Sequence, residues 1–247
     1  MCIRDSYYTP ALAEPIYRPM TTTSWAYPTG CQPYYEMATT QKEITDLVEA
    51  AGWRKGADGV YQKNGQRLAF KFTIAGETTD HPAYAMFESA AQFLNSCGFE
   101  ITVGTDIQAL KKLATGNLAV WAAAWSSAID PDMYQVYHKD STATSVNNWN
   151  YKNILNDSTG QFEREKQTIE LLSDAIERAR ETNNRDERKA RYSEALDLVM
   201  ELAVEFPAYQ RMDLAVYNKT KIDGSTLNQS PSYMEGLVSR IWEMDLL

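Results

Sequence analysis

Polar and aromatic side chains follow directly after the most apolar run of the chain, residues 118–125. Trp125, Ser126 and Ser127 end this run, and Asp130 and Asp132 flank a proline just beyond it. An indole ring can wall a ligand pocket, and hydroxyl groups can hydrogen bond to an extended peptide. A carboxylate can hold an ammonium group through a short, charge-assisted hydrogen bond. These residue types at this spacing indicate a ligand-binding edge.

Each of these side chains also has a structural alternative. Periodicity alone favours Trp125 as a core residue packed under helices, whereas its place at a strand end favours a ligand contact. Asp130 and Asp132 can instead cap the helix that begins just after them, where carboxylates meet the positive end of the helix dipole. For Asp130 the role of cap or loop-former is slightly favoured over a ligand contact. Ser126 and Ser127 are weak evidence for a ligand site, because isolated serines occur in many other settings.

Trp149 is a further candidate contact, because it lies in a polar loop of the kind that forms the rim of a binding site. The alternative is a surface loop that this one aromatic residue anchors. His81 and His138 are far apart in the sequence and belong to no metal-binding motif, so neither a metal site nor a cofactor is predicted.

The sequence carries no recognisable catalytic motif. A nucleophile elbow, a phosphate-binding loop, a glycine-rich dinucleotide turn and a paired Cys/His nucleophile are all missing. Asp130 and Asp132 could be imagined as the acid and base of a glycosidase. Residues two apart at one turn rarely flank a single scissile bond, however. The sequence therefore predicts a protein that is not an enzyme, with a glycosidase or a plain interaction domain as less favoured alternatives.

Composition excludes some partners. The chain has 247 residues, 44% of them hydrophobic and 23% charged, which is typical of a globular protein with a real core. Its net charge of −9 argues against nucleic acid, since affinity for phosphate backbones comes mainly from Lys and Arg. The longest apolar run is too short to span a bilayer. Cys2, Cys31 and Cys97 show no redox or zinc spacing.

The first half of the chain alternates predicted strands and helices. The patterns predict strands over residues 68–74, 99–103 and 118–127, with helices over 80–98 and 106–113 between them. Such β-α-β-α-β order gives parallel strands joined by right-handed crossovers, and hence an α/β fold. Ligands of open α/β sheets gather beyond the C-terminal ends of the strands, which is where Trp125 falls.

The remaining elements are mostly helical. A capping-box spacing at Thr40 opens a helix with an apolar stripe, and Asn64-Gly65 is a strong hairpin signal. Residues 162–180 predict a long helix whose buried stripe is Ile169, Leu172, Ile176 and Ala179. Asn184 is the predicted cap of a second helix, whose stripe is Tyr192, Ala195, Leu196, Val199 and Ala203. The two helices should form an antiparallel hairpin, and residues 214–217 predict a strand. A segment rich in Pro and Tyr, residues 7–40, predicts an irregular connector that packs on other elements.

Three segments in this order resemble the C-terminal portion of the family 5 extracellular solute-binding proteins, the peptide- and nickel-binding group of ABC importers. The first is residues 47–53 (LVEAAGW) followed by the Asn64-Gly65 hairpin. The second is the region from Trp125 to Asp132, and the third is residues 205–210 (EFPAYQ) followed by residues 215–218 (AVYN). The resemblance runs from about Tyr35 to the end of the chain.

This resemblance implies an α/β fold: a periplasmic-binding-protein-like type II lobe, a mostly parallel sheet flanked by helices. The lobe would span residues 40–205, with an irregular N-terminal connector at 7–39 and a segment at 206–247 that returns to the first lobe. Residues 1–6 resemble a tag found at the ends of assembled environmental sequences. We therefore expect the gene to extend upstream, through a signal peptide and most of the first lobe.

The resemblance also implies a function. We expect a monomeric solute-binding subunit, extracellular or periplasmic and lipid-anchored in its full-length form, which delivers its solute to the membrane permease of an ABC importer. An oligopeptide is the expected solute, with an oligosaccharide or a nickel complex as alternatives. Trp125, Ser126, Ser127, Asp130 and Trp149 are the expected ligand contacts.

One departure from the family's pattern affects peptide recognition. Peptide-binding members carry an aspartate three positions after the tryptophan, where it pairs with the ligand's α-ammonium group, but this chain has Ala128. The resemblance leaves two possibilities: either Asp130 takes over that role, or the amino terminus is recognised in another way.

Overall fold

Short strands and helices alternate in the first half of the chain, and helices dominate the second. A computed structural model describes residues 12–36, 38–125, 129–212, 214, 216–229 and 235–247. The elements in chain order are β1 (Ala13–Pro15), α1 (Gln41–Ala50), β2 (Arg54–Lys55), β3 (Tyr61–Lys63), β4 (Gln66–Arg67), β5 (Ala69–Ala75), α2 (Pro82–Ser96), β6 (Glu100–Asp106), α3 (Ala109–Ala114), β7 (Val120–Trp121), α4 (Tyr134–Tyr137), α5 (Thr144–Asn148), α6 (Tyr151–Leu155), α7 (Glu163–Glu181), α8 (Arg185–Leu202) and β8 (Tyr209–Arg211), with 3₁₀ turns at Gly224–Thr226 and Ile241–Glu243.

A parallel sheet with the strand order β6-β5-β7 positions the candidate site. The middle strand, β5, pairs with β6 along its whole length and with β7 at Phe72 and Thr73. Helix α2 crosses from β5 to β6 and packs Phe87 against Phe72, with ring centroids 5.0 Å apart. The side chain of Asn95 then hydrogen bonds both the N–H and the C=O of Ile101 and ties α2 to β6. The predicted β-α-β-α-β order is confirmed.

Strand β7 is much shorter than the predicted strand over residues 118–127. Before it, the side-chain amide of Asn148 hydrogen bonds both backbone groups of Leu118, so the ladder does not extend in that direction. After it, the backbone N–H of Ala122 still reaches Thr73 at 3.3 Å, but β5 ends at Ala75. The partner strand, which the sequence pattern does not report, limits the length of β7.

The helical hairpin of α7 and α8 forms the largest core. Asn184 caps α8 as predicted, since its side chain accepts hydrogen bonds from the N–H groups of Asp186 and Glu187. The two helices bury the predicted stripes, which are Ile169, Leu172, Ile176 and Ala179 on α7 and Tyr192, Ala195, Leu196 and Val199 on α8. Ala203 was predicted in the second stripe but is exposed, because it adopts a left-handed conformation, φ 53°, that ends the helix. Periodicity predicted this hairpin well.

Helix α1 has the predicted boundaries but not the predicted burial. Thr40 and Glu43 form the expected capping box. The hairpin between β3 and β4 is also confirmed, with Asn64 and Gly65 both at positive φ (52° and 77°). The apolar stripe of α1 is not buried, however, and Leu47 is 64% exposed. Ile44 and Val48 on the same stripe are half-buried, so the described elements cover that face only in part.

The segment before α1 packs on the helical hairpin. Strand β1 pairs antiparallel with β8, and the buried Arg18 donates a 2.6 Å hydrogen bond from Nε to Asp197 on α8. Ala26 is fully buried in the same core as Leu196. Residues 12–36 therefore lie on the lobe that the sheet and the hairpin form.

The last described residues are poorly covered. Leu214, Val216 and Tyr217 belong to no described strand, so the strand predicted over residues 214–217 is not found there. Val216 is 88% exposed and Trp242 is 75% exposed. Within the described ranges, we found no helix with both the length and the apolar character needed to cross a bilayer.

Candidate ligand-binding site

The C-terminal edge of the parallel sheet presents Trp125. This residue follows β7 and is 52% exposed, so it is not the core tryptophan that periodicity alone favours. Trp121, within β7, is instead half-buried against Ala109, Leu113 and Leu118. The predicted contacts Ser126 and Ser127 lie outside the described residues.

Trp125 contacts a buried carboxylate, that of Glu205. The Tyr137 hydroxyl donates a 2.8 Å hydrogen bond to this carboxylate, and the Trp125 side chain lies close enough to it to favour its ionised form. Burial raises the pKa of Glu205 above its ordinary value, while the contacts with Tyr137 and Trp125 act in the opposite direction. Among the described residues no Lys, Arg or His forms an ion pair with Glu205. This negative charge is thus held by neutral donors alone.

Trp149 joins this cluster through Tyr137. Its indole stacks on the Tyr137 ring, with centroids 5.6 Å apart and planes 9° from parallel, and its other neighbour is Tyr151 at 5.9 Å. The Tyr151 hydroxyl is buried and has no hydrogen-bond partner among the described residues. Burial raises the pKa values of Tyr137 and Tyr151 well above the ordinary value, so both phenols are neutral donors at physiological pH. Glu205 and Tyr137 therefore link Trp125 to Trp149.

The carboxylates of the Asp130-Pro-Asp132 turn are already engaged. Asp130 accepts hydrogen bonds from Arg188 at 3.1 and 3.3 Å and from the backbone N–H of Asp132. Asp132 accepts from the N–H of Tyr134 at the start of α4, and it pairs with Arg180 at 3.2 Å. Both aspartates shape the turn and the start of the helix. This is the structural role that the sequence offered as an alternative to ligand binding. A ligand contact by Asp130 stays a prediction.

An apolar cavity opens beside the site. Its volume is about 180 Å³, and it lies between α3 and the ends of β5 and β7. Its walls are formed by Ala75, Ala109, Leu110, Leu113, Leu118, Trp121, Ala122 and Ala123. These side chains are alanines, leucines and one tryptophan, so the walls of the cavity are apolar throughout.

A broader depression of about 830 Å³ lies at the start of β7, lined by Asn and Trp side chains among others. Asn148 is committed to the backbone of Leu118, and Asn153 donates to the side chain of Asn150. Several of the amides that line this depression are thus occupied within the protein. Its polar groups serve mainly to connect α5, α6 and β7.

Sequence reasoning did not select Glu205 and Tyr137. Glu205 appears in the sequence patterns only as part of the closing segment EFPAYQ, and no pattern singles out Tyr137. The available signal was local: a carboxylate three residues beyond the end of a long helix and two before a proline, where the helix pattern gives it no role. No cluster of three metal-ligating side chains occurs in the described part of the chain.

Comparison with known proteins identifies the class to which the fold belongs. No protein-family model matches the sequence, and no curated protein matches it. Several solved structures, in contrast, match its fold. The oligopeptide-binding protein AppA from Bacillus subtilis, in complex with a nonapeptide, superimposes with a TM-score of 0.62 at 17% identity and covers 99% of this chain.

Two further structures agree. NikZ from Campylobacter jejuni, in complex with Ni(L-His), has a TM-score of 0.60 at 19% identity over 94% of this chain. The ABC transporter-associated periplasmic binding protein DppA from Helicobacter pylori, in complex with the peptide STSA, has a TM-score of 0.56 at 20% identity over 95% of it. The chain therefore has the fold of the solute-binding proteins that its sequence resembles, with the type II arrangement of sheet and helices.

The match covers less than half of each of these proteins. This chain spans 45% of AppA, 43% of NikZ and 39% of DppA. At these identities the likeness establishes the fold, and ligand recognition has to be argued from this chain's own residues.

Proposed function

We propose that this chain is the second lobe of a solute-binding subunit of an ABC importer, and that its solute is an oligopeptide. The observation that carries this proposal is the C-terminal edge of the sheet. There, a half-exposed tryptophan contacts a buried carboxylate beside an apolar cavity and a short edge strand. The proteins that share the fold are named as binding proteins, and nothing in the sequence calls for catalysis.

Main-chain pairing would hold the peptide. Strand β7 lies at the edge of the sheet and stops after Trp121, so the backbone of residues 123–125 has no strand partner among the described residues. An extended peptide can add to such an edge through its own backbone, independently of its sequence. Ser126 and Ser127 follow this edge in the chain and are proposed to add hydroxyl contacts.

Side chains would set the preference for particular peptides. The cavity of about 180 Å³ accepts one apolar side chain, and the Trp125 ring walls the ligand on its exposed face. Trp149 would contribute indirectly, because its indole stacks on the Tyr137 ring and fixes that ring in place. Asp130 can contact a ligand only through the carboxylate surface that its pair with Arg188 leaves free.

A first lobe would complete the site. Exposed apolar residues collect in the last described segments, among them Phe206, Leu214, Val216, Ile241 and Trp242. Apolar surface of this extent marks an interaction face, and we propose that a first lobe packs on it. Closure of two lobes around a ligand would then bury the peptide, and the closed form would dock on the membrane permease. The full-length protein would then be an extracellular or periplasmic monomer, anchored to the cell surface by a lipid.

Calorimetry on the product of the complete gene tests the solute assignment. A pool of unmodified peptides of three to six residues should give heat, whereas oligosaccharides and a nickel–histidine complex should give none. A matched variant, Trp125→Ala, should weaken peptide binding at least about tenfold, as loss of a central aromatic contact does. Heat from a sugar or the nickel complex, with none from peptides, would contradict the assignment.

A further inference from the structure

A carboxylate without a counter-charge lies at the proposed ligand edge. We infer that Glu205, held by Tyr137 and Trp125, binds the positively charged amino group of the ligand. The inference rests on the proposed function and deepens it, since it names the group that recognises a free amino terminus. It also gives a physical basis for recognition in a chain that has Ala128 instead of an aspartate.

The hydrogen-bonding capacity of Glu205 supports this role. An ionised carboxylate offers about four lone-pair positions. The Tyr137 hydroxyl uses one of them, and the Trp125 indole lies next to the carboxylate. The remaining positions can accept N–H groups from an ammonium ion, which has three donors.

Charge balance gives a second argument. A buried ion normally has a partner of opposite charge, because desolvation costs several kcal/mol per ion. The other acids near the sheet edge have such partners: Asp106 pairs with Lys112, and Asp130 pairs with Arg188. Among the described residues, Glu205 has only neutral donors. A cation supplied by the ligand would complete its coordination.

Glu205 is held firmly in place, as recognition of a small group requires. Helix α8 ends at the left-handed Ala203, and the buried Pro207 follows Glu205 closely on its other side. Tyr137 is itself buried and clamped by Trp149. The Tyr151 hydroxyl, buried close to Tyr137 and without a described partner, adds a polar group to the interior of the cluster.

A ligand would reach the Glu205 carboxylate from the side of Trp125. This residue is half exposed and its side chain also lies close to the carboxylate, so it connects the solvent side to Glu205. The Trp125 ring is thus available at the approach to the carboxylate, and aromatic faces attract ammonium groups.

The test compares two peptide pools on the product of the complete gene. One pool contains random tetrapeptides with free amino termini, and the other contains the same peptides N-acetylated. Equilibrium dialysis with mass spectrometry measures how much of each pool the protein retains. We expect at least tenfold greater retention of the free peptides, in line with the loss that follows when one partner of a buried charge pair is removed.

Two glutamate variants locate the effect. Glu205→Gln keeps the shape and can accept the Tyr137 hydrogen bond through its amide oxygen, but it has no charge, so the preference for free amino termini should disappear. Glu201→Gln is the matched control, since Glu201 lies on the last turn of α8 and pairs with the exposed Arg164. It should leave the preference unchanged. Circular dichroism checks that both variants fold, and Tyr137→Phe should reduce the preference by a smaller factor.

The possible failures are distinguishable. Equal retention of the two pools, or a preference that persists in Glu205→Gln, overturns the role of Glu205 while peptide binding stands. Retention of neither pool overturns the peptide assignment, and with it this inference.

Discussion

At the scale of single residues, the site depends on contacts between parts of the chain that are distant in sequence. Trp125, Tyr137 and Glu205 come from the end of a strand, from a short helix and from the segment after the helical hairpin. Trp125 was selected because it stands at the end of an apolar run. Glu205 could not be selected in that way, since its importance comes from its burial and from its contacts with Tyr137 and Trp125, which only the fold creates.

A pH dependence of stability follows from the burial of Glu205. Because burial raises its pKa, the folded protein binds this proton more tightly than the unfolded chain does. The free energy of unfolding therefore loses a contribution as pH rises from the ordinary glutamate pKa through the raised one. In Glu205→Gln this loss disappears, so over that window the variant should gain stability relative to the parent protein.

Urea denaturation at a series of pH values measures this difference, and other titrating groups cancel in the comparison. Glu201→Gln, whose parent carboxylate is paired with an exposed arginine, should show no such trend. The difference in the free energy of unfolding between Glu205→Gln and the parent protein should change with pH. A difference that stays constant over this pH range would contradict the burial of an uncompensated charge.

At the scale of elements, local patterns predicted what local physics decides. The caps at Thr40 and Asn184, the turn at Asn64-Gly65 and the stripes of α7 and α8 all appear as expected. The errors are elements whose extent or burial depends on a distant partner. Strand β7 is short because β5 ends, and the stripe of α1 is only partly covered by the described elements.

The helical hairpin should carry much of the stability of the lobe. Leu196 is fully buried between α7 and α8, so Leu196→Ala removes packed methyl groups and leaves a cavity. We expect a loss of roughly 2–5 kcal/mol in the free energy of unfolding, measured by denaturant titration. Leu171→Ala is the control, because Leu171 on α7 is 55% exposed and its loss should change stability by about 0.5 kcal/mol or less. Equal effects of the two variants would contradict the assigned core.

At the scale of the whole molecule, the proposed function needs one face for a ligand and another for a partner lobe. The sheet edge carries Trp125 and the apolar cavity, while the last described segments expose Val216 and Trp242. The order of motifs along the sequence was enough to predict the fold class, because each motif marks an element boundary. The choice of solute was not predictable to the same degree, since it depends on a few side chains at the edge and on Ala128 in particular.

Hydrogen–deuterium exchange tests the central claim, which is that a peptide binds at the C-terminal edge of the parallel sheet. The product of the complete gene is compared with and without a saturating tetrapeptide taken from the retained pool. We predict slower exchange at the amides of residues 122–125 and around Glu205, with unchanged exchange on the outer face of α7, where Leu171 lies. Unchanged exchange at residues 122–125 in the presence of bound peptide would contradict the account.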